Sequence, residues 1–322
     1  MWFANPFKLK KMGVLGMNKR NIDYISKVNQ RKNYPLVDNK LKTKVLAQNA
    51  GIAVPKLIAT IEAQSALSHL KEILEGLNAF VVKPAKGSGG KGILVIVARD
   101  GDVFIKPSGQ RLGLSDIHRD ISNILSGLYS LGGKADVAMI EQLVEFDPIF
   151  DHYSYEGVPD IRVIVYKGYP AMAMLRCSTK QSDGKANLHQ GAVGVGIDMA
   201  TGKALYAVQH NHPVTHHPDT GYDFSDLEIP HWEQILALAA SCYEVTNLGY
   251  LGVDIVLDKN RGPLILELNA RPGLSIQIAN GTGAIHRYDL IDKQKEKRNI
   301  AQRVSFSMQA FGQAQKIQTN AS

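Results

Sequence analysis

Apolar positions recur along the chain with two periods, close to 3.6 and close to 2 residues. In DNKLKTKVLAQNA, Leu41, Val45 and Leu46 fall at helical spacing, with Asp38 placed to cap the helix and Gly51 to end it. GIAVPKLIAT then reads as a turn and a strand. SALSHLKEILEGL carries the period of an amphipathic helix. AFVVKPAK and ILVIVARDG are rich in β-branched residues and flank the sequence KGSGGKG, so this part reads as strand, glycine loop, strand. DVFIKPSGQRLG suggests a small hairpin and DIHRDISNILSGLYSL a helix. VAMIEQLVEF reads as a buried strand, and DIRVIVYKGYPAMAMLRCS as strands turning at Lys167–Gly168. The polar stretch 178–231 reads as a long loop, and HWEQILALAASCYEVTN as a helix of about 4–5 turns. YLGVDIVLDKNRGPLILELNARPG is a strong hairpin signal. The Lys/Gln-rich stretch from about 291 is expected to fray.

Composition sets bounds on this reading. A chain of 322 residues holds one large or two medium domains, and 44% hydrophobic with 21% charged residues is ordinary for a soluble globular protein. No apolar run approaches the roughly 20 residues of a membrane helix, so no membrane span is expected. MWFANPFKLKKMG lacks the apolar core of a signal peptide. Trp2, Phe3 and Phe7 beside Lys8, Lys10 and Lys11 could touch a membrane surface, but a short disordered or packing arm is the preferred reading. Two cysteines, Cys177 and Cys242, fit a reducing, cytoplasmic setting. The net charge of +7 is uneven: residues 1–44 hold 11 Lys/Arg against 2 Asp/Glu, and residues 287–322 hold 7 against 3. A surplus at the ends, rather than a stripe on the body, argues against a nucleic-acid partner and leaves an acidic polypeptide open.

Two stretches carry candidate chemistry. Gly87, Gly89 and Gly92 match G-x-G-x-x-G. A dinucleotide fingerprint needs a helix after the glycines, and here a strand follows; a Walker loop needs Ser or Thr after Lys91, and Gly92 stands there. Two readings remain at this point, a flexible hairpin tip or a loop whose N–H groups cover phosphates. In the last hairpin, pairing symmetric about positions 260 and 261 sets Asp254 opposite Glu267, with Asn269 on the same face as Glu267. Oxygen donors without His or Cys suit Mg²⁺, or Mn²⁺ in its place; the other reading is a solvated polar face. Together with Lys83 and the glycine hairpin, the set describes nucleoside triphosphate and metal chemistry.

At these residues the chain resembles the ATP-grasp carboxylate–amine ligases, nearest the RimK-like, alpha-L-glutamate ligase-like proteins. DNKLKTKVLAQNAGIAVP, FVVKPAKGSGGKGI, IEQLVE, DIRVIVYKG, MLRCS, GKANLHQGA and GVDIVLD…LILELNARPGL follow the family's order over roughly residues 34–286. The resemblance implies an α+β ATP-grasp fold, two α/β subdomains with antiparallel sheets gripping ATP between them. It divides the chain into a basic arm (1–33), a first part with the phosphate loop (34–140), a second part with the metal site (141–290) and a tail (291–322). It further implies that Lys83, and more weakly Lys40, contact phosphates. Ser88, Gly89 and Gly90 would cover the β/γ end. Backbone groups of Glu141, Gln142, Leu143 and Val144 would read adenine, Asp160 would hold the ribose, and Lys185 and Asn187 would contact the nucleotide. Asp254, Glu267 and Asn269 would hold Mg²⁺. The implied reaction activates a carboxylate as an acyl phosphate and joins it to an amine, plausibly with glutamate as one substrate. Arg162 and Arg176 would steady the developing charge. Arg271 departs from the pattern, standing in NARPG where the nearest ligases have NASPG, and could bind a substrate carboxylate or pair structurally. The implied partners are amino-acid or peptide substrates; the basic ends leave an acidic polypeptide acceptor open, and a second copy of the chain is open as well. An ATP-dependent small-molecule kinase and a non-catalytic ATP-binding module are the rival functions.

Three features stand outside this picture. IHRD at 117–120 resembles a kinase catalytic loop, but Leu125 stands where that pattern wants Asn, so it reads as a helix surface. HNHPVTHH, at 210–217, reads as a substrate lid or an inert loop rather than a zinc site, since no cysteine is near; His189 is the better active-site histidine. Only about 35 residues precede the resemblance, so the family's leading α/β domain is expected to be absent or vestigial.

Overall fold

The strands expected on either side of the glycine loop pair in the computed structural model, which describes residues 5–87, 89–130 and 132–312. The chain divides into two compact units, one of residues 38–45 and 54–145, the other of residues 1–37, 46–53 and 146–322.

The smaller unit holds β1 (Leu57–Ile61), β2 (Phe80–Pro84), β3 (Leu94–Ile96), β4 (Ala98–Asp100), β5 (Val103–Ile105), β6 (Arg111–Leu112) and β7 (Ala138–Gln142). Among the described residues, β1, β7, β2 and β3 lie side by side in an antiparallel sheet, and β4, β5 and β6 form a second, small one. The helix Leu114–Leu125 buries Ile117, Ile121, Ile124 and Leu125, the i, i+4, i+7 stripe that its sequence predicts. These side chains join Phe80, Val82, Ile96, Phe104 and Ile140 in one core. His118 and Arg119 face water on that helix, which disposes of the kinase-loop likeness. The expected helix over SALSHLKEILEGL is instead a 3₁₀ segment, Gln64–His69, followed by a single α-turn, Leu70–Ile73. Asn39, not Asp38, caps the helix Lys40–Asn49: its Oδ1 accepts from the N–H groups of Leu41 and Lys42 at 3.0 and 3.1 Å.

The larger unit holds β8 (Asp160–Tyr166), β9 (Tyr169–Cys177), β10 (Val193–Ile197), β11 (Ala204–Gln209), β12 (His212–Val214), β13 (Tyr250–Asp258) and β14 (Gly262–Asn269). Among the described residues they form one antiparallel sheet in the order β12-β11-β10-β9-β8-β13-β14. The stretch 178–231, expected as a loop, therefore contributes β10, β11 and β12. VGVGI was overlooked because glycine alternates with valine and lowers its strand signal. The structure gives those glycines a reason: a Cβ at Gly196 would sit 2.3 Å from the Ala279 carbonyl oxygen, and one at Gly194 would sit 2.7 Å from Leu188. The helix Trp232–Thr246 packs its apolar face on this sheet.

Both ends of the chain are structured more than the sequence suggests. Residues 5–37 form short helices and the turns between them, with Leu15, Tyr24 and Ile25 buried. The stretch after 291 includes a helix, Ile300–Phe311, capped by Asn299 and burying Arg303, Val304 and Phe311, rather than fraying. Residues 313–322 lie outside the described residues.

Candidate active site

The chemistry expected of the smaller unit gathers on β7 and β2. Glu141 on β7 is 2% exposed, and its carboxylate receives Lys83 Nζ at 2.7 Å and Lys44 Nζ at 2.9 Å. Lys44 also donates to the Pro55 carbonyl. Three buried charges hold because each has an opposite partner, without which burial would cost several kcal/mol. Sequence reasoning placed Glu141 here for its backbone and missed both its side-chain role and Lys44. The available cue was spacing, since Lys40 and Lys44 are four apart on one helix face. Lys40 points elsewhere, donating to the Gly87 carbonyl at 2.6 Å at the mouth of the glycine loop.

Gly89 and Gly90 have successive left-handed φ angles of 64° and 74°, which side-chain-bearing residues rarely adopt, and both are exposed. Ser88, between Gly87 and Gly89, lies outside the described residues. The loop's base is fixed by Asp136, another residue the sequence did not single out. Its buried carboxylate accepts from the Lys86 N–H at 2.9 Å and from the Ser130 hydroxyl at 2.8 Å. On the far end of β7, the Gln142 N–H donates to the Lys56 carbonyl at 2.9 Å, so it is not free to read a base. Leu143 and Val144 lie beyond the strand, half-buried.

In the larger unit, charged side chains run across four neighbouring strands. Asp254 on β13 pairs with Glu267 on β14 on one side and with Arg162 on β8 on the other; Asp160 on β8 pairs with Arg176 on β9. The Arg162 guanidinium grips Asp254 with two parallel bonds, Nε to Oδ1 at 2.6 Å and Nη2 to Oδ2 at 2.5 Å. Arg176 adds a third bond to Asp254 Oδ2 at 2.8 Å and grips Asp160 with its own fork. The two arginines do lie on neighbouring strands, but both are committed to aspartates. Asp160, expected at a ribose, is buried and held by Arg176.

Electrostatics separates the two aspartates. Burial opposes ionisation of Asp254, but Arg162 and Arg176 outweigh it and hold its carboxyl below the usual carboxylate range. Burial dominates at Asp160, with Arg176 opposing and Asp254 adding repulsion, so its pKa is pushed up to about 6. Burial works against the Arg176 charge as well, yet Asp160 and Asp254 raise its pKa further.

The donor set decides whether a divalent cation fits. Among the described residues no three of His, Cys, Asp and Glu gather at a metal-binding distance, so the candidate site is two carboxylates and the Asn269 amide. Three N–H groups occupy Asp254, which has about four lone-pair directions, leaving one on Oδ1. Asn269 Nδ2 is buried with no hydrogen-bond partner among the described residues, and turning the amide over would present its oxygen there. The residues therefore suit a hard cation that keeps part of its own water shell.

The remaining candidates disperse. Lys185 is exposed and pairs with Asp183 at 3.0 Å. Asn187 accepts from the His189 N–H at 3.0 Å, capping a short turn. Arg271 is exposed and stacks over Tyr34, 5.1 Å from the ring centre. His189 and His210 line a cavity of about 190 Å³ with Leu188, Val208, Asn211, Ser275 and Ile278.

His217 is buried; its Nε2–H donates to the Ser178 carbonyl at 3.0 Å, while Nδ1 accepts from the Asp219 N–H at 3.3 Å. Burial lowers its pKa from the ordinary 6.5, with Ser178 and Asp219 opposing. A depressed histidine stabilises the fold above its unfolded-state pKa, and that stability is lost as pH falls below about 6.5. Thermal unfolding should therefore show a larger drop in Tm from pH 7.5 to 5.5 for the native chain than for His217→Gln; equal drops would refute the assignment.

Two antiparallel-sheet units, one with a glycine hairpin beside a buried lysine and the other with a carboxylate hairpin, define an ATP-grasp fold. The chain belongs to the sugar-transfer associated ATP-grasp family, whose profile matches residues 19–293. No curated protein matches it. Among solved structures it is similar to the ATP-grasp ligase PsnB complexed with a minimal precursor, at 14% identity and a TM-score of 0.44, with 82% of this chain and 62% of that one covered. It is also similar to the D-alanine-D-alanine ligase from Coxiella burnetii, at 14% identity and a TM-score of 0.44, covering 90% and 62%. A third is the D-cycloserine synthetase DcsG, at 15% identity and a TM-score of 0.46, covering 84% and 71%. The chain thus spans less than two thirds of the length of the first two. Likenesses of this size add nothing to the family assignment. No helix among the described residues is long and apolar enough to cross a membrane.

Proposed function

We propose that the protein is an ATP-dependent ligase that activates a carboxylate as an acyl phosphate, releasing ADP, and joins the acyl group to an amine that displaces the phosphate. The observation that carries this reading is the pairing of Asp254 with Glu267 across β13 and β14, with Arg162 and Arg176 locked onto Asp254. Asp254, Glu267 and Asn269 would hold Mg²⁺, or Mn²⁺, whose chemistry there is to neutralise phosphate oxygens. Arg162 and Arg176 aim the Asp254 carboxylate and fix it in its ionised form. Lys83 stands on the strand that enters the glycine loop and supplies a cation for nucleotide phosphates. Gly89 and Gly90 allow the loop's N–H groups to close on the distal phosphate. Leu143 and Val144 line the adenine position.

Glutamate, as in the RimK-like ligases, is the proposed carboxylate, and an amino acid, a peptide or an acidic polypeptide the amine. The family's association with sugar transfer adds an amine carried on a carbohydrate to that set. The test is ADP release with Mg-ATP across amino acids, peptides and amino sugars, singly and in pairs, with product masses read by mass spectrometry. Release that needs two substrates, with a product equal to their sum less water, is the expected result. Release with one substrate and a phosphorylated product would make the protein a kinase instead.

A further inference from the structure

The helix Pro6–Lys11 is anchored at its start and end yet buries none of its residues. Asn5 Oδ1 caps it, accepting from the N–H groups of Phe7 and Lys8 at 2.9 and 3.3 Å. The chain leaving it is tied to the larger unit. His286 Nε2–H donates to the Lys11 carbonyl, and the N–H groups of Gly283 and Ile285 donate to the Met12 and Gly13 carbonyls, all at 3.0–3.1 Å. Leu15 is bonded on both sides by the Gln277 amide at 2.8 and 3.0 Å. Helices this short are not stable in water by themselves, so this one draws support from its cap and anchor. Yet Phe7 is 81% exposed, and further along the same segment Met17 and Ile22 are 64% and 65% exposed. Their neighbours Leu15, Tyr24 and Ile25 are buried. Leu290 is exposed too, one turn from His286 on the helix Ile285–Asp292, and so on the side that meets Lys11.

Charge identifies what covers these side chains. Exposed Lys8, Lys10, Lys11, Lys19 and Lys27 lie among them; the acidic Asp23 is shared by Lys19 and Lys27, and Asp289 flanks Leu290. The arginine of this stretch, Arg20, is turned inward to the Pro272 carbonyl at 2.7 Å. Lysine is a point charge without the planar fork that reads a particular carboxylate or phosphodiester. Exposed apolar side chains among lysines match an interface in which acyl chains lie beneath anionic head groups.

We infer that residues 5–28 form a docking surface for an anionic lipid membrane, on which the protein lies without crossing. Flotation of the full chain with vesicles of equimolar phosphatidylglycerol and phosphatidylcholine should show binding that is lost with phosphatidylcholine alone and weakened by salt. Phe7→Ser with Ile22→Ser should weaken binding roughly a hundredfold, about tenfold for each apolar side chain withdrawn. Lys8→Glu with Lys10→Glu should weaken it by at least about tenfold. Unchanged Tm and unchanged ATP binding in these variants show that the fold and the nucleotide site are intact. No binding to anionic vesicles overturns the inference. So does binding that the serine variants leave unchanged, or vesicle binding displaced by an equal charge of polyglutamate or nucleic acid, which would assign the lysines to a polyanion.

Discussion

Asp254→Ala is expected to destabilise the protein by about 3–5 kcal/mol and to abolish ATP turnover with it. Asp254 is 4% exposed and receives three guanidinium bonds, so its removal leaves Arg162 and Arg176 charged in a buried setting with Asp160 as their remaining partner in the cluster. Loss of turnover alone would not separate a missing donor from a collapsed site. Glu267→Ala makes that separation. Glu267 is half-buried on β14 and none of the three guanidinium bonds to Asp254 involves it, so its loss should cost less stability than Asp254→Ala while cutting ADP release at least a hundredfold. A Glu267→Ala protein that keeps most of its turnover would remove the metal assignment. An Asp254→Ala protein of native stability would mean that the arginines find other partners.

The second large effect is expected at Glu141. Replacing it by alanine strands Lys83 and Lys44, each 5% exposed, without the carboxylate between them, and should lower stability by about 3–5 kcal/mol. Glu141→Gln keeps the shape and offers one carbonyl, so its cost should be smaller, with ATP affinity still reduced because Lys83 is no longer held in place. Urea unfolding together with nucleotide titration by calorimetry reads both quantities. If the alanine variant loses less than about 1 kcal/mol, the two lysines reach solvent and the buried triad is not a structural element.

The sequence disclosed strands where apolar residues crowd between turn signals, as at Phe80–Pro84, Asp160–Cys177 and Tyr250–Asn269. It concealed them where glycine replaces every second residue, as at Val193–Ile197, because the reason for Gly196 is the backbone at Ala279, some eighty residues away in the chain. The same division holds in the candidate site. Asp254 opposite Glu267 follows from counting about positions 260 and 261, whereas the turn is centred on Asn260 and a skipped residue in the second strand restores that pairing. The commitment of Arg162, Arg176 and Asp160 to one another depends on which strands are neighbours, and β8 lies beside both β9 and β13, a fact of topology rather than of local pattern. Glu141 was read for its backbone, because a single carboxylate in a strand gives no sign of the two lysines that close on it.

The pairing of β13 with β14 has one irregularity. From Asp258 opposite Gly262 to Ile255 opposite Ile265 the strands keep one register. Leu266 is then passed over, and Asp254 meets Glu267. Leu266 is thus a β-bulge, the single extra residue that changes which side chains stand across from each other. In an unbroken ladder Asp254 would face Leu266, and the two carboxylates would be out of step. The hairpin therefore has two zones with opposite tolerance of length change. Residues added at the Lys259–Asn260 tip lengthen a turn and leave the carboxylates in register, whereas a second residue inserted beside Leu266 must be passed over as well or it sets them apart. Related chains should vary in length at the tip and carry at most one residue between the partners of Ile255 and Asp254.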